Sequence, residues 1–273
     1  AVLAAVLAVV ATAACAAVDD GDPAGTFTPA TPGVLTVASN LPAPGFWEGP
    51  ASAPTGGFEH GLAVALADRF GLDSVVVVDV PFERIVAGDL GGADLALAEL
   101  TPTDERDGVL DFTTGYLDAN PAVIVRPGSD LEDMAAAREL TWVVQEGSTQ
   151  EDLVTEVVRP ELPVATVATI DAVVAAVLAG DVDAGLLDLP TALVEQQLTD
   201  GGVVVAAQFG TDDVLAIAVP EGSDDLEALD SAVRGMLADG SVESLADEWL
   251  GRDVLGRQVD VPLIRSRSSQ ITD

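Results

Sequence analysis

From residue 34 onward, short runs of β-branched and other apolar residues alternate with stretches whose apolar positions recur every three or four residues. That is the rhythm of an α/β protein. VLTVAS at 34–39 reads as a strand, and from about Glu59 to Phe70 a helix is expected, with Leu62, Leu66 and Phe70 on one face and Gly71 as its stop. VVVVDV at 75–80 returns as a strand. The same reading predicts strands at 94–99, 121–125, 141–145, 164–167, 184–188, 203–207 and 214–220. Between them, Ile170 to Ala179 is a helix closed by Gly180, and Pro190 to Leu198 is one opened by a proline suited to a first turn. Two more helices, at about 224–239 and 241–250, end the regular part, and no internal repeat is visible.

Outside that region the pattern changes. The first 14 residues, AVLAAVLAVVATAA, are apolar and uncharged and run directly into Cys15, which a Thr/Pro-rich linker follows to residue 33. This reads as an export signal, too short to cross a bilayer comfortably. A lone cysteine at the end of such a signal resembles a bacterial lipoprotein acceptor site, although Thr12, Ala13 and Ala14 would also suit an ordinary signal peptidase. Either way the mature chain is expected outside the plasma membrane. With one cysteine in 273 residues, no internal disulfide can form. Residues 251–273 form a tail carrying four of the eleven arginines (252, 257, 265 and 267). That tail reads as a surface strap or a disordered end.

Charge narrows the function. Against 46 acids stand 11 basic residues, all arginine, for a net charge of −35. Nucleic acid and anionic membrane surfaces would repel such a body. The acidity suits a solvated surface in a saline exterior. No EF-hand-like loop appears, Asp19, Asp20 and Asp22 lie in the linker, and no metal site or cofactor is expected.

Six segments, read in order over residues 34–250, resemble the type 2 periplasmic solute-binding family of amino-acid ABC transporters. They are SNLPAPGFWEG at 39–49 leading to GGFEHGLAVALADRFGL, VPFERI at 80–85, TPTDER at 101–106 with LDFTTGYL at 110–117, QEGST at 145–149, LAGDVDAGLLD at 178–188, and ADGSVESLADEWLG at 238–251. The resemblance implies a two-lobed α/β fold, each lobe a mixed sheet flanked by helices, joined by two crossing hinge strands. Lobe 1 would comprise 34–120 and 218–250, and lobe 2 residues 121–217. It implies an extracytoplasmic, non-enzymatic receptor, monomeric and lipid-anchored, that binds a free L-amino acid between its lobes and delivers it to permease subunits.

The chemistry such a ligand demands can be stated from its structure. A free amino acid holds a carboxylate and an ammonium on one carbon, and each needs a charged or multiply hydrogen-bonding partner once out of water. By the resemblance, Arg106 would grip the carboxylate with two parallel hydrogen bonds and Asp188 would accept from the ammonium. Ser148 and Thr149 would add donors, and Thr101 would contact the ligand backbone. Phe46 and Phe82 stand where family members place pocket aromatics. Asn40 stands where receptors for basic amino acids tend to carry an acid, and Glu99 where small residues are usual, so the ligand's side chain stays open. Local readings compete: Arg106 could pair at the surface with Asp104, Glu105 or Asp107, and Asp188, Ser148 and Thr149 could be helix caps. His60, the only histidine, starts a helix and reads as exposed. The alternative functions are a prephenate dehydratase-like enzyme on the same scaffold and a ligand-sensing module.

Overall fold

A computed structural model describes residues 26–129, 131, 133–251 and 261–264. The segment expected to be an export signal, Cys15, most of the expected linker and all four tail arginines lie outside the described residues.

Strands along the chain are β1 (Val34–Ser39), β2 (Ser74–Asp79), β3 (Leu95–Ala96), β4 (Leu110–Phe112), β5 (Leu117–Asp118), β6 (Pro121–Val125), β7 (Trp142–Gln145), β8 (Ala165–Val167), β9 (Ala184–Asp188), β10 (Val204–Phe209), β11 (Val214–Leu215), β12 (Ala218–Pro220) and β13 (Leu263–Ile264). The α-helices are α1 (Phe58–Arg69), α2 (Phe82–Val86), α3 (Met134–Glu139), α4 (Thr149–Asp152), α5 (Ile170–Ala179), α6 (Leu189–Leu198), α7 (Leu226–Ala238) and α8 (Ser241–Trp249). In α1 the apolar spacing places Leu62 and Leu66 in the core, with Phe70 capping the end and partly buried. α5 ends where expected, at Gly180 in the left-handed conformation (φ 80), whose amide closes onto the carbonyls of Ala176 and Val177.

Two mixed sheets define two lobes. The first has the order β2-β1-β3-β12-β4, with β1, β2 and β3 parallel and β12 antiparallel to both β3 and β4. The second has the order β13-β10-β6-β9-β7-β8, and β6 runs antiparallel to both its neighbours. The chain leaves the first lobe after β5 and returns along β11. These two segments pair antiparallel, Val214 with Asp118 and Leu215 with Leu117, in a separate two-stranded ribbon. The run expected as one strand at 214–220 is therefore two short ones, the first in the hinge ribbon and the second in the first sheet. The last described residues, Leu263–Ile264, add a parallel strand to the outer edge of the second sheet beside β10. Apolar side chains from α1, α7 and α8 cover the first sheet, and α5 and α6 pack on the second.

Candidate functional site

Ligand crevices in α/β sheets lie beyond the carboxyl ends of the strands. Here those ends face each other across the gap between the lobes. Asn40 follows β1 and Glu99 follows β3 on one side; Gln145 ends β7 and Asp188 ends β9 on the other. With Phe82, Ser148 and Thr191 they line a narrow inner chamber of about 30 Å³. An outer mouth of about 510 Å³ adjoins it, bordered by Arg106, Gly147, Ser148 and Thr149 and by the acids Asp104, Glu105, Glu151 and Asp152.

Arg106 opens a short 3-10 turn, Arg106–Gly108, and is only 6% exposed. Its guanidinium donates to the carbonyl of Thr101 (2.7 Å) in its own lobe and to the carbonyl of Gly147 (3.1 Å) in the other. It lies 5.6 Å from the Phe82 ring centroid, within cation–π range. No carboxylate among the described residues comes within ion-pair distance of it. Surface pairing with Asp104, Glu105 or Asp107 is thus not what holds it. Burial pulls its pKa below the ordinary value, opposed first by the charge of Asp188.

Asp188, 8% exposed, stands at the N-cap of α6 but makes no side-chain capping bond. It accepts instead from Gln150 Nε2 at 2.6 Å. Burial, with a smaller contribution from Asp213, pushes its pKa up to about 8, while Arg106 and Gln150 oppose the shift. Ser148 precedes α4 and likewise does not cap it; its hydroxyl donates to the carbonyl of Gln145. Thr149, the first residue of α4, borders the outer mouth. Thr101 is buried and meets Arg106 through its carbonyl.

Glu99 carries the one feature that pattern reading does not anticipate. Its backbone is left-handed (φ 54), which is unusual for a residue with a side chain. The conformation is held from behind: the Glu99 amide donates to Glu59 Oε1 (2.8 Å), and that fully buried carboxylate also receives Tyr116 Oη (2.5 Å) and Trp47 Nε1 (2.9 Å). Burial outweighs these three donors and raises Glu59 to about 7. The Glu99 carboxylate accepts from the Thr191 hydroxyl of the opposite lobe. Burial first, then the negative charge of Glu59, lifts its pKa well above the usual range. Asn40 Oδ1 accepts from Gln145 Nε2 at 3.0 Å, a further bond between the lobes.

Eight of the nine expected ligand residues therefore border the chamber, its mouth or the Arg106 bond set. Phe46 does not. It is fully buried in the core of the first lobe, edge-on to Phe58 at 5.9 Å, because its apolar ring fills space behind α1 rather than the crevice. His60 is half-buried against Trp47 rather than exposed. Gln150, Thr191 and Ile170 line the chamber without having been singled out, though Gln150 directly follows the Ser148–Thr149 pair and Thr191 stands three residues beyond Asp188. Among the described residues no cluster suits a metal ion.

Two sheets on a two-segment hinge, with polar groups of both lobes converging on the gap, define the class of two-lobed type 2 periplasmic binding proteins. Residues 35–252 match the model for bacterial extracellular solute-binding proteins, family 3, and the chain belongs to that family. It is 33% identical over 97 residues to the arginine-binding extracellular protein ArtP of Bacillus subtilis, covering 35% of this chain and 38% of that protein. It is 29% identical over 213 residues to the membrane-bound lytic murein transglycosylase F of Ectopseudomonas mendocina, covering 73% of this chain and 43% of that one. The chain thus spans about two-fifths of the length of these curated relatives. Among solved structures, an ancestral arginine-binding protein bound to glutamine superposes with a TM-score of 0.73 at 27% identity, covering 81% of this chain and all of that one.

Proposed function

We propose that this protein is the solute receptor of an ABC importer, closing on a free L-amino acid and delivering it to permease subunits without chemical change. The observation that carries the reading is the pairing across one crevice of a buried guanidinium with a buried carboxylate, neither of which has an ion-pair partner among the described residues. A zwitterion supplies what each lacks. Its carboxylate would take the free N–H groups of Arg106 with help from Ser148 and Thr149, and its ammonium would take the open oxygen of Asp188. The arginine-binding names of two relatives agree with this reading.

The moving bodies would be residues 34–120 with 218–250, and residues 121–217, turning on the β5/β11 ribbon. Since the inner chamber is about 30 Å³, roughly the share of one liquid water, the lobes must part before an amino acid can enter. Bonds between lobes, from Arg106 to Gly147 and from Gln145 to Asn40, would re-form as they close. The receptor is monomeric and held to the outer face of the membrane by a lipid on Cys15, which intact-mass analysis of membrane-extracted protein would reveal as an acyl increment. Thermal-shift screening against the twenty amino acids tests the main reading, because a ligand of the folded state raises the melting point with the logarithm of its excess over Kd. A shift from at least one of them is expected, and prephenate incubated with the protein should remain intact.

A further inference from the structure

The charge count of the crevice is not closed by a zwitterion alone. Arg106 is its one cation among the described residues; Asp104, Glu105, Glu151 and Asp152 stand at the outer mouth, and Asp188 and Glu99 are the two acids of the chamber, to which the count is confined. A ligand with one carboxylate and one ammonium adds equal and opposite charges, so one acid is left over. Glu99 is that acid. Only one of its oxygens is engaged, by the Thr191 hydroxyl, and no described residue donates to the other. The negative charges of Glu59, Asp188 and Glu195 act on it, in that order of size. Its placement is also imposed, since an L residue is held at φ 54 by the Glu59 anchor behind it. Backbone held in a sparsely populated region beside a crevice is where functional side chains are aimed.

Thr191 ties the geometry to the rest of the ligand. It lies three residues after Asp188, so the two share a face of the first turn of α6. The Glu99 carboxylate, bonded to Thr191, therefore sits within about one helical turn of the group expected to hold the ammonium. Glu99 and Asp188 thus share the inner chamber, while Arg106 borders the outer mouth that adjoins it. Asn40, whose amide oxygen accepts from Gln145, is neutral and brings no counter-charge to a cation.

Resting on the amino-acid reading above, we propose that Glu99 is the specificity-determining residue of the crevice and that it selects amino acids with a cationic side chain, a guanidinium or an amine. Such a ligand balances both carboxylates and the guanidinium at once. An acidic side chain would meet a second acid out of water, and a neutral one would leave Glu99 in its protonated form, without the ion pair that a cation gains.

The test is calorimetric titration of wild type, Glu99→Gln and Glu99→Gly with L-arginine, L-lysine, L-glutamine and L-glutamate. The glycine variant suits the left-handed backbone, so a loss shared by both variants cannot be assigned to strain. Wild type should bind arginine or lysine at least about tenfold tighter than glutamine, and glutamate more weakly still. In both variants the cationic ligand should weaken by at least about tenfold more than glutamine does. Wild-type preference for glutamine or glutamate overturns the proposal while leaving an amino-acid receptor in place. An equal loss for arginine and glutamine also overturns it, because Glu99 would then serve the ammonium they share. A variant that keeps the cationic preference overturns it too. If the wild type binds no amino acid at all, in this panel or in the thermal-shift screen, the receptor reading falls with it.

Discussion

At the residue scale, the two ends of the ligand are assigned to single side chains whose removal should be costly. Truncating one member of a desolvated charged contact costs about 2 to 5 kcal/mol, or roughly thirty-fold to several-thousand-fold in Kd. Arg106→Ala and Asp188→Ala should each weaken the amino acid found by screening by that much. Arg106→Lys should also fall short, because an ammonium cannot bond two carbonyls and a carboxylate in one plane. Titration of the folded variants checks this, and wild-type affinity in both alanine variants would remove the site. Asp188 has a second consequence, in stability. Its folded-state pKa of about 8 lies above the ordinary carboxylate value of 3.8, chiefly through burial. Between those values the unfolded chain has lost a proton that the folded chain keeps. Its contribution to stability is therefore fully present below about pH 4 and is lost as pH rises through 8, at up to about 1.4 kcal/mol per pH unit. Glu59 and Glu195, both raised to about 7, act with the same sign. In high salt, which suppresses surface repulsion, the unliganded melting point should fall from pH 5 to pH 8, and Asp188→Asn should make that fall shallower.

At the scale of elements, the crevice is placed by how closely the helices lie on their sheets. Gly185 stands in β9, three residues before Asp188, and a Cβ there would meet Val173 Cγ1 of α5 at 2.7 Å and Ile124 Cγ1 of β6 at 3.1 Å. Both neighbours are β-branched and stiff at χ1, so neither can swing away. Gly185→Ala should thus destabilise the protein by about 1 to 3 kcal/mol, measured by denaturant unfolding, and should displace the strand that carries Asp188. Such long-period elements were legible in the sequence. α5 and the strands at 34–39, 121–125 and 184–188 stand where the pattern puts them, because ten residues of helical spacing or five of unbroken apolar strand leave little ambiguity. β4, β5 and β11 were not legible as separate strands, since two or three residues are too few to show an alternation. The same contrast holds at the crevice. Arg106 and Asp188 sit in segments with a family register, whereas Gln150 and Thr191 are ordinary polar residues of helical first turns, set apart only by the carboxylates they bond. Phe46 failed for the opposite reason: an aromatic beside a glycine turn looks the same in sequence whether it faces a crevice or a core.

At the scale of the whole molecule, charge dominates. A net −35 spread over 273 residues places many like charges within a Debye length, about 8 to 10 Å at ordinary salt, and they repel most in the compact state. The melting midpoint should therefore rise from low to molar salt at fixed pH; a flat or falling midpoint would reject self-repulsion as a destabilising force here. Part of that charge is not evenly spread. Asp104, Glu105, Glu151 and Asp152 line the outer mouth beside Arg106, two from each lobe, so a solute that reaches Arg106 comes close to them. Their effect falls on arrival rather than on residence. A ring of one sign around an opening focuses the field and raises the local concentration of counter-charged solutes, so a cationic amino acid should be drawn in faster than it diffuses and a zwitterion should not. In stopped-flow mixing, the association rate constant for arginine should drop as salt is raised while that for glutamine stays nearly level. Asp104→Asn with Glu151→Gln should flatten the first curve and leave the dissociation rates almost untouched.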